Sequence, residues 1–342
     1  MRSVIDESEV RGVEEHPPRE RPSTRKRWLF LLKAAISAAL IYWVLRNAQL
    51  SEVAHAVRNV NGWLLLVSVC LYAATYYVRA VRWRILLRPH GVDPPLRFLL
   101  NSYFASIFFS NFLPSTIGGD ALRGYDAWRA GASKAASVAV LLMDRVLGMV
   151  VLIAFALALL LDSPNLVGEV PHVRLWIGLL TLGMMGFLYL SFETRLRLPG
   201  WTQRECAGVP RKLRAAVDTA AGAFRAFHGR RDVLLHALVL SVVFQAATVV
   251  HYYLIAAALN LPIPLLAFFV IVPLAIIIMM LPVSINAIGL REGAFVFFFA
   301  SYGVSTERAV AFAWLVYGTV LLLGLVGGVV YALRGETPAA NS

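Results

Sequence analysis

Long apolar segments separated by short polar ones dominate the pattern of this chain. A helix needs about 20 apolar residues to cross the roughly 30 Å hydrocarbon core of a bilayer. Six segments come close to this length or exceed it, at 28–45, 62–80, 136–161, 173–191, 233–258 and 309–333. The pattern therefore predicts an all-α polytopic membrane protein with about six full transmembrane helices.

Charged residues between these segments predict the orientation, because Lys and Arg concentrate on the cytoplasmic side of membrane proteins. A basic cluster (Arg19, Arg21, Arg25, Lys26, Arg27) precedes the first span, and another (Arg79, Arg82, Arg84, Arg88, Arg97) follows the second. The segment 192–231 holds nine Lys or Arg and three acidic residues, whereas 162–172 holds two acids and no Lys or Arg. We expect both termini and 192–231 to be cytoplasmic in an inner membrane.

Two further apolar segments, 98–113 and 265–281, each lead into a stretch rich in Pro, Gly and Ser. A full crossing at 98–119 would place 192–231 on the wrong side, so this segment should enter and leave at the cytoplasmic face. The apolar stretch 294–304 is only about 16 Å long as a helix, too short to span. We therefore expect two re-entrant helical hairpins that enter from opposite faces.

The two breaks resemble each other, as "LPSTIGGDALR" and "LPVSINAIGLRE". Opposite entry and similar sequence together indicate an inverted repeat, a design that holds substrate at the repeat interface. Irregular backbone inside a bilayer persists only where protein buries it or where it lines a wet cavity, because lipid cannot satisfy its N–H and C=O groups. Each break is therefore a candidate substrate site.

The first break offers groups suited to a phosphate oxygen. Its candidate binding residues are Asn111, Ser115, Thr116, Gly118, Gly119, Asp120 and Arg123. Backbone N–H groups and hydroxyls at a helix start bind anions, and Arg123 would supply the countercharge. The alternative is that the glycines only make a tight turn while Asp120 caps the next helix.

The second break and the third predicted span add the other candidates. Ser284, Asn286, Arg291 and Glu292 lie in the second break, where Arg291 could hold a phosphate bidentately or could only pair with Glu292. Asp144 and Arg145 lie inside a predicted span, where ionisable groups are costly and need partners from other segments. Arg123, Arg291 or Glu292 could supply them, either in a structural ion-pair network or with Asp144 titrating during transport.

Composition narrows the class of protein further. Hydrophobic residues make up 59% and charged residues 15%, and mean hydropathy is +0.68. The net charge of +12 follows from membrane topology, so no nucleic-acid partner is expected. The two cysteines cannot build a disulfide framework, and the histidines form no metal-ligand pair; His251 and Gln245 are expected to hydrogen-bond between helices. Neither a cofactor nor a metal is predicted.

The predicted organisation is one transmembrane domain, 28–334, between a disordered cytoplasmic tail at 1–27 and a short tail at 335–342. Within the basic 192–231 loop, residues 211–228 repeat apolar positions at helical spacing with cations elsewhere on the wheel. This pattern fits an amphipathic helix on the anionic inner leaflet, or a connector made basic only by topology.

Three motifs resemble the flippase-like membrane family named after the transmembrane region of lysylphosphatidylglycerol synthases. They are "NFLPSTIGGDALRGY" at 111–125, "LLMDRVLGM" at 141–149 and "LPVSINAIGLREGAF" at 281–295, and the resemblance covers roughly 28–334. In that family some members carry an added aminoacyl-transferase domain, and we expect this chain to be a member without it. The resemblance implies the translocation half, a lipid transporter and not an enzyme.

The sequence thus leads us to expect a translocase of a lipid with an anionic, phosphate-bearing head group, a phospholipid or a polyprenyl-phosphate glycolipid. One alternative is a membrane-embedded glycosyl- or acyltransferase using Asp144, Asp120 or Glu292. The other is a non-transporting scaffold for a separate lipid-modifying enzyme.

Overall fold

The computed structural model describes residues 50–112, 117–162, 229–281 and 283–333, together with Phe227 and isolated positions between 31 and 42 and between 175 and 182. The spans predicted at 28–45 and 173–191, the tails, and the amphipathic helix predicted at 211–228 lie outside these ranges, apart from the isolated positions. So do Ser115 and Thr116 of the first break.

All regular secondary structure in the described ranges is helical, which agrees with the predicted all-α class. The helices are α1 (Leu50–Arg58), α2 (Gly62–Leu87), α3 (Leu96–Phe112), α4 (Ile117–Arg129), α5 (Lys134–Asp162), α6 (Arg231–Ala258), α7 (Leu265–Met279), α8 (Leu290–Ala300) and α9 (Thr306–Ala332). Short 3-10 turns occupy Arg88–His90 and Ile285–Ala287.

Four of the described helices are long and apolar enough to cross a membrane. They cover Gly62–His90, Lys134–Leu159, Arg231–Ala258 and Thr306–Ala332, and α7 is a shorter apolar helix. Each of the four corresponds to a predicted span. The protein is therefore a multi-pass membrane protein.

Helices α2 and α6 form an antiparallel pair that defines the two ends of the bundle. Asn61 N donates to Ala258 O at 2.9 Å, Ser68 Oγ lies 2.7 Å from His251 Nδ1, and further along Arg82 Nη1 donates to Ser241 Oγ at 2.7 Å. The end containing Asn61 also holds Asn260 and the start of α9, because Arg308 donates to the Asn260 carbonyl. We call it the Asn260 end and the opposite one the Asp93 end.

Arg84 fixes the loop at the Asp93 end. Its Nε–H donates to the Asp93 carboxylate at 2.6 Å. This hydrogen bond, supported by a longer one from Arg88, lowers the pKa of Asp93 below its ordinary value of 3.8. Asp93 is therefore ionised at neutral pH, and the loop is held by charge.

Helices α3 and α4 form an antiparallel pair that opens toward the Asp93 end. Gly119 of α4 packs so closely on α3 that a Cβ there would lie 2.1 Å from Ser110 Oγ. Further along, the Arg123 guanidinium lies 4.1 Å from the ring centre of Tyr103. The end of α4 then packs in one apolar cluster with the start of α3, through Ala127 and Leu99. Both ends of the pair therefore lie at the same end of the bundle.

Helices α7 and α8 form the corresponding pair at the Asn260 end. Phe268 and Phe299 make an edge-to-face contact with ring centres 5.9 Å apart, and both join the cluster that holds Leu259 and Val304. The chain turns back between them, through the break that follows Met280. Helix α9 then begins at the same end.

One sequence-based boundary was wrong. The second span was expected to end at residue 80, with Arg79 at its edge and Arg82 in a loop, but α2 continues to Leu87. Both arginines therefore lie on a helix inside the bundle, and Arg82 is buried. These cations are accommodated inside the bundle by Tyr103 of α3, Asp144 of α5, and Ser241 and Phe244 of α6.

Candidate functional site

The two breaks meet inside the bundle. The Asn286 side-chain Nδ2, in the second break, donates to the main-chain oxygen of Asn111, at the end of α3, at 2.9 Å. Asn111 in turn donates its Nδ2 to the Val320 carbonyl on α9 at 3.1 Å. The tips of the α3–α4 and α7–α8 pairs are thus joined to each other and to α9 by amide hydrogen bonds.

A cavity of about 320 Å³ lies at this junction, which we call the tip cavity. Its lining residues come from both breaks and from α6, α7 and α9: Ser110, Asn111, Tyr252, Met279, Asn286, Ala287, Arg291, Val316, Tyr317 and Val320. Asn111, Asn286 and Arg291 are three residues that the sequence nominated. Ser284 is buried but is not in this lining.

Arg291 is the charged residue of the tip cavity. It is 5% exposed, its guanidinium lies 4.1 Å from the ring centre of Tyr317, and Nη2 donates to the Asn286 carbonyl at 3.2 Å. Its Nε–H has no hydrogen-bond partner, and no acidic side chain in the described ranges lies within ion-pair distance. A buried cation without an anion is costly, so this position favours an anionic ligand.

The second break holds backbone in an unusual conformation beside Arg291. Asn286 and Ala287 have φ values of +50° and +56°. Alanine rarely adopts the left-handed region because its Cβ meets neighbouring backbone, and such strain concentrates at functional sites. The turn presents the Asn286 carbonyl to Arg291 and the Asn286 amide to Asn111.

Glu292 does not pair with Arg291, contrary to one alternative drawn from the sequence. Its Oε2 accepts a hydrogen bond from the Gly289 N–H at 2.7 Å, which closes the first turn of α8. A carboxylate at a helix start also interacts favourably with the helix dipole. Glu292 therefore positions the helix that carries Arg291.

A second group of charges lies nearer the Asp93 end, in a chain of alternating ion pairs. We call it the arginine–aspartate chain: Arg145, Asp120, Arg123, Asp144 and Arg82. Arg145 Nε donates to Asp120 Oδ2 at 2.9 Å, and Asp120 Oδ1 lies 3.6 Å from Arg123 Nη1. Asp144 contacts Arg123 at 3.3 Å and Arg82 at 2.6 Å. Side-chain exposure falls along the arginine–aspartate chain from 47% at Arg145 to 3% at Arg82.

Aromatic rings enclose the buried part of this chain. The Arg123 guanidinium lies 4.7 Å from the Trp83 ring centre and 4.1 Å from that of Tyr103. Arg79, half-buried, lies 5.1 Å from the same Tyr103 ring. The Nε–H groups of Arg79 and Arg123 have no hydrogen-bond partner in the described structure. Cation–π contacts stabilise these charges in place of further carboxylates.

The charges in this region do not balance. Four guanidinium groups (Arg79, Arg82, Arg123, Arg145) lie here, and the carboxylates that pair with them in these contacts are only Asp120 and Asp144. Arg79 contributes to the excess because no ion pair joins it to a described acid. An excess of buried positive charge makes the local electrostatic potential more positive, which favours the binding of an anion.

The structure separates some candidates that the sequence grouped. Arg123 contacts Tyr103 whereas Arg291 lines a cavity that begins at Ser110, and Tyr103 and Asn111 are eight residues apart on α3, or about 12 Å. Neither Arg291 nor Glu292 pairs with Asp144 or Arg145; Arg82, Arg123 and Asp120 do.

The alternative in which the glycines only make a tight turn and Asp120 caps the next helix does not match the structure. Gly118 and Gly119 lie in the first turn of α4 and not in a tight turn, and Gly119 provides close approach to α3. Asp120 is not the helix cap but the fourth residue of α4, where it pairs with Arg145 and Arg123.

The sequence did not nominate several residues that form the tip cavity and the surroundings of the arginine–aspartate chain. Tyr252 and Tyr317 line the tip cavity, and Trp83 and Tyr103 enclose Arg123. Arg79 and Arg82 were noticed only as loop charges. Their i, i+3 spacing on "YYVRAVRW" was a usable signal, since it places both on one helix face.

The buried histidine and glutamine join helices, as expected. His251 Nδ1 lies 2.7 Å from Ser68 Oγ across the α2–α6 interface, and Gln245 Nε2 donates to the Gly148 carbonyl of α5 at 3.2 Å. No group of three His, Cys, Asp or Glu residues within the described ranges could hold a metal ion.

Comparison with known proteins gives consistent matches. The family model described as "Lysylphosphatidylglycerol synthase TM region" matches residues 30–328. A "UPF0104 membrane protein" of Methanothermobacter thermautotrophicus is 23% identical over 323 residues, covering 86% of this chain and 91% of the relative. A second protein with that description, from the same organism, is 23% identical over 282 residues, covering 76% and 82%.

Proposed function

The chain belongs to the family of the lysylphosphatidylglycerol synthase TM region, and from this premise we propose that it moves a phosphate-bearing lipid between the two leaflets of the membrane. The substrate class is a phospholipid or a polyprenyl-phosphate glycolipid. Its head group passes through the bundle interior while its tails remain in lipid.

Arg291 is the observation that carries this proposal. A guanidinium that is 5% exposed, lines a cavity and has no described acidic partner lacks the anion that would normally accompany it. A phosphate oxygen can accept bidentate hydrogen bonds from arginine, and such charged hydrogen bonds are short and strong. The Asn286 main-chain carbonyl and the Tyr317 ring hold this guanidinium at the cavity wall.

The helix lengths support two re-entrant hairpins around this cavity. At 1.5 Å per residue, α4 is about 20 Å long and α8 about 17 Å, both shorter than the hydrocarbon core. The pairs open at opposite ends of the bundle and their tips share the Asn286 to Asn111 hydrogen bond. In this proposal the tips meet near the bilayer midplane, where broken helices of transporters hold polar substrate groups.

The orientation completes the proposal. Arg84, Arg88 and Arg97 lie near the Asp93 end, so this end faces the cytoplasm of an inner membrane. The arginine–aspartate chain would then lie on the cytoplasmic side of the tip cavity. A head group could meet Arg123 and Arg291 in turn as it crosses.

Reconstitution into liposomes tests the proposal. Fluorescent phosphatidylglycerol and a fluorescent polyprenyl phosphate are distributed over both leaflets, and dithionite then bleaches the label that reaches the outer leaflet. We expect flux of at least one of them with the unaltered chain. Arg291→Gln should slow it by roughly tenfold to a hundredfold, since a charged hydrogen bond contributes about 1.5–3 kcal/mol.

Arg97→Gln is the matched control, because Arg97 is an exposed arginine in the first turn of α3. It should leave flux unchanged. Absence of flux for every lipid class with folded protein would contradict the proposal, and equal loss with both variants would remove Arg291 from it. Chemical conversion of the lipid without movement would favour a transferase instead.

A further inference from the structure

A surface groove of about 460 Å³ runs between α4 and α5 near the Asp93 end. Its lining includes the small or aliphatic residues Gly124, Val138 and Leu141 and the aromatic residues Tyr125 and Trp128, which are 50% and 46% exposed. Large exposed aromatic and aliphatic side chains on a membrane protein face lipid. The groove is therefore open toward the surrounding leaflet.

Cations accompany these aromatic residues along the groove. Lys134 Nζ lies 5.6 Å from the Trp128 ring centre, and Lys134 lines the groove. Arg145, 47% exposed, pairs with Asp120. These features match the parts of an anionic phospholipid. The apolar lining suits its tail, the aromatic rings suit its interfacial region, and the cations suit its phosphate.

Asp120 belongs both to the groove and to the arginine–aspartate chain. It lines the groove, and its side chain is 26% exposed. Its two carboxylate oxygens face different partners: Oδ2 accepts from the exposed Arg145 and Oδ1 lies 3.6 Å from the buried Arg123. The Asp120 carboxylate thus links the groove to the buried Arg123.

We infer that the α4–α5 groove is the lateral entry site for an anionic phospholipid, and that Asp120 gates it by partner exchange. The lipid phosphate first lies beside Lys134, then replaces the Asp120 carboxylate on Arg145 and afterwards on Arg123. One negative charge takes the place of another, so neither arginine loses its countercharge during the exchange. This inference deepens the proposed function and rests on it.

The charge balance behind Asp120 favours entry of an anion over a neutral head group. Behind the gate there is an excess of arginines over the carboxylates paired with them, since Arg82 and Arg123 share Asp144, and the Nε–H groups of Arg123 and Arg79 have no partner in the described residues. Adding a phosphate reduces this excess, whereas a zwitterionic head group leaves it unchanged. The groove should therefore prefer phosphatidylglycerol over phosphatidylcholine.

Photo-cross-linking from within the groove tests the inference without requiring translocation. Benzoylphenylalanine is placed at Val138 in the full chain, which is reconstituted with radiolabelled phosphatidylglycerol or phosphatidylcholine and irradiated. The control position is Leu235 on α6, an exposed leucine that also lies four residues into its helix. We expect selective labelling by phosphatidylglycerol at Val138 and equal labelling by the two lipids at Leu235.

Substitutions then separate the gate from the groove. Asp120→Asn should raise phosphatidylglycerol labelling at Val138 by about twofold to fivefold, because a competing partner of Arg145 is weakened. Arg145→Gln should lower it by a similar factor. Ala121→Phe, which fills the groove at an exposed position without touching the ion pairs, should abolish the preference even if the charge variants fold poorly.

The outcomes distinguish this inference from the proposed function. Equal labelling by both lipids at Val138, or no response to Asp120→Asn and Ala121→Phe, would show ordinary annular lipid and overturn the entry site. Selective labelling with no flux in the liposome assay would instead overturn the proposed transport while leaving a phospholipid site. Flux without selective labelling would overturn only the groove.

Discussion

Asp144 lies between two buried guanidinium groups, Arg82 and Arg123, at 2.6 Å and 3.3 Å. Removing one partner of a buried ion pair leaves the other charge desolvated and unpaired, which costs about 3–5 kcal/mol in folded proteins. Asp144→Asn should therefore destabilise the bundle by an amount of this order. Thermal unfolding in detergent, followed by tryptophan fluorescence, measures it.

Asp93→Asn is the control for this prediction. Asp93 also accepts hydrogen bonds from two arginines, Arg84 and Arg88, but all three side chains are at least one-third exposed. Water can solvate the arginines after the substitution, so the unfolding temperature should change little. A large shift of the unfolding temperature for Asp93→Asn, or none for Asp144→Asn, would contradict a special role for the buried ion pairs of the arginine–aspartate chain.

At the residue scale, the sequence predicted which buried charge needs a partner more readily than which residues supply the partners. Asp144 inside an apolar helix required partners from other segments, and Arg123 was among those expected. Arg82 was not, because hydropathy averaging ended the span at residue 80. An arginine at the end of an apolar segment is interpreted as a loop charge unless its partners are known. Those of Arg82 are the Asp144 carboxylate on α5 and the Ser241 hydroxyl on α6, both distant in sequence.

Glycines allow α9 to approach α3 closely enough for backbone contact. A Cβ on Gly327 would lie 1.9 Å from the Phe104 carbonyl oxygen, and one on Gly328 would lie 2.7 Å from the Phe108 ring. Small residues at such positions let membrane helices pack by backbone contact. Gly327→Ala should force the two helices apart and destabilise the fold by about 1–3 kcal/mol or more.

Gly318 on the same helix is the matched control, since a Cβ there meets nothing within 4 Å. Gly318→Ala should be neutral or slightly stabilising, because alanine favours helix by up to about 1 kcal/mol over glycine. Both variants can be compared by the same unfolding measurement. Equal effects of the two substitutions would contradict close packing of α3 on α9.

At the element scale, helix bounds were more predictable than helix pairing. The apolar segment predicted at 265–281 corresponds to α7 at Leu265–Met279, because length and composition set where an apolar helix begins and ends. The contact of the two tips through Asn286 and Asn111 needed three-dimensional information. The repeated Leu-Pro motif indicated two related breaks, but carried no distance between them.

For the whole molecule, the distribution of Lys and Arg was the strongest sequence evidence for how the chain is threaded through the membrane. It required an even number of crossings between residues 98 and 130, and the structure brings both ends of the α3–α4 pair to the Asp93 end. That geometry is independent of any charge count. The membrane side of each end remains a prediction of the proposed orientation, and it can be tested directly.

Thiol labelling from one side of the membrane tests that orientation. Cysteines are placed singly at Pro95 and Ala130, which flank the α3–α4 pair, and at the exposed positions Pro262 and Ser305, which flank the α7–α8 pair. The background carries Cys70→Ala and Cys206→Ala. With a membrane-impermeant maleimide, we expect Pro95→Cys and Ala130→Cys to react only from the cytoplasmic side, because both ends of a re-entrant hairpin lie on one face.

Pro262→Cys and Ser305→Cys should react only from the opposite side, and they serve as the internal control for vesicle sealing. A full crossing between residues 96 and 129 would place Pro95 and Ala130 on opposite faces, and only one of them would then react from each side. That result would contradict the first hairpin. It would also move the tip cavity away from mid-depth. Helix α3 alone, at about 26 Å, would then have to span the bilayer, and its polar end at Asn111 would lie at the far surface.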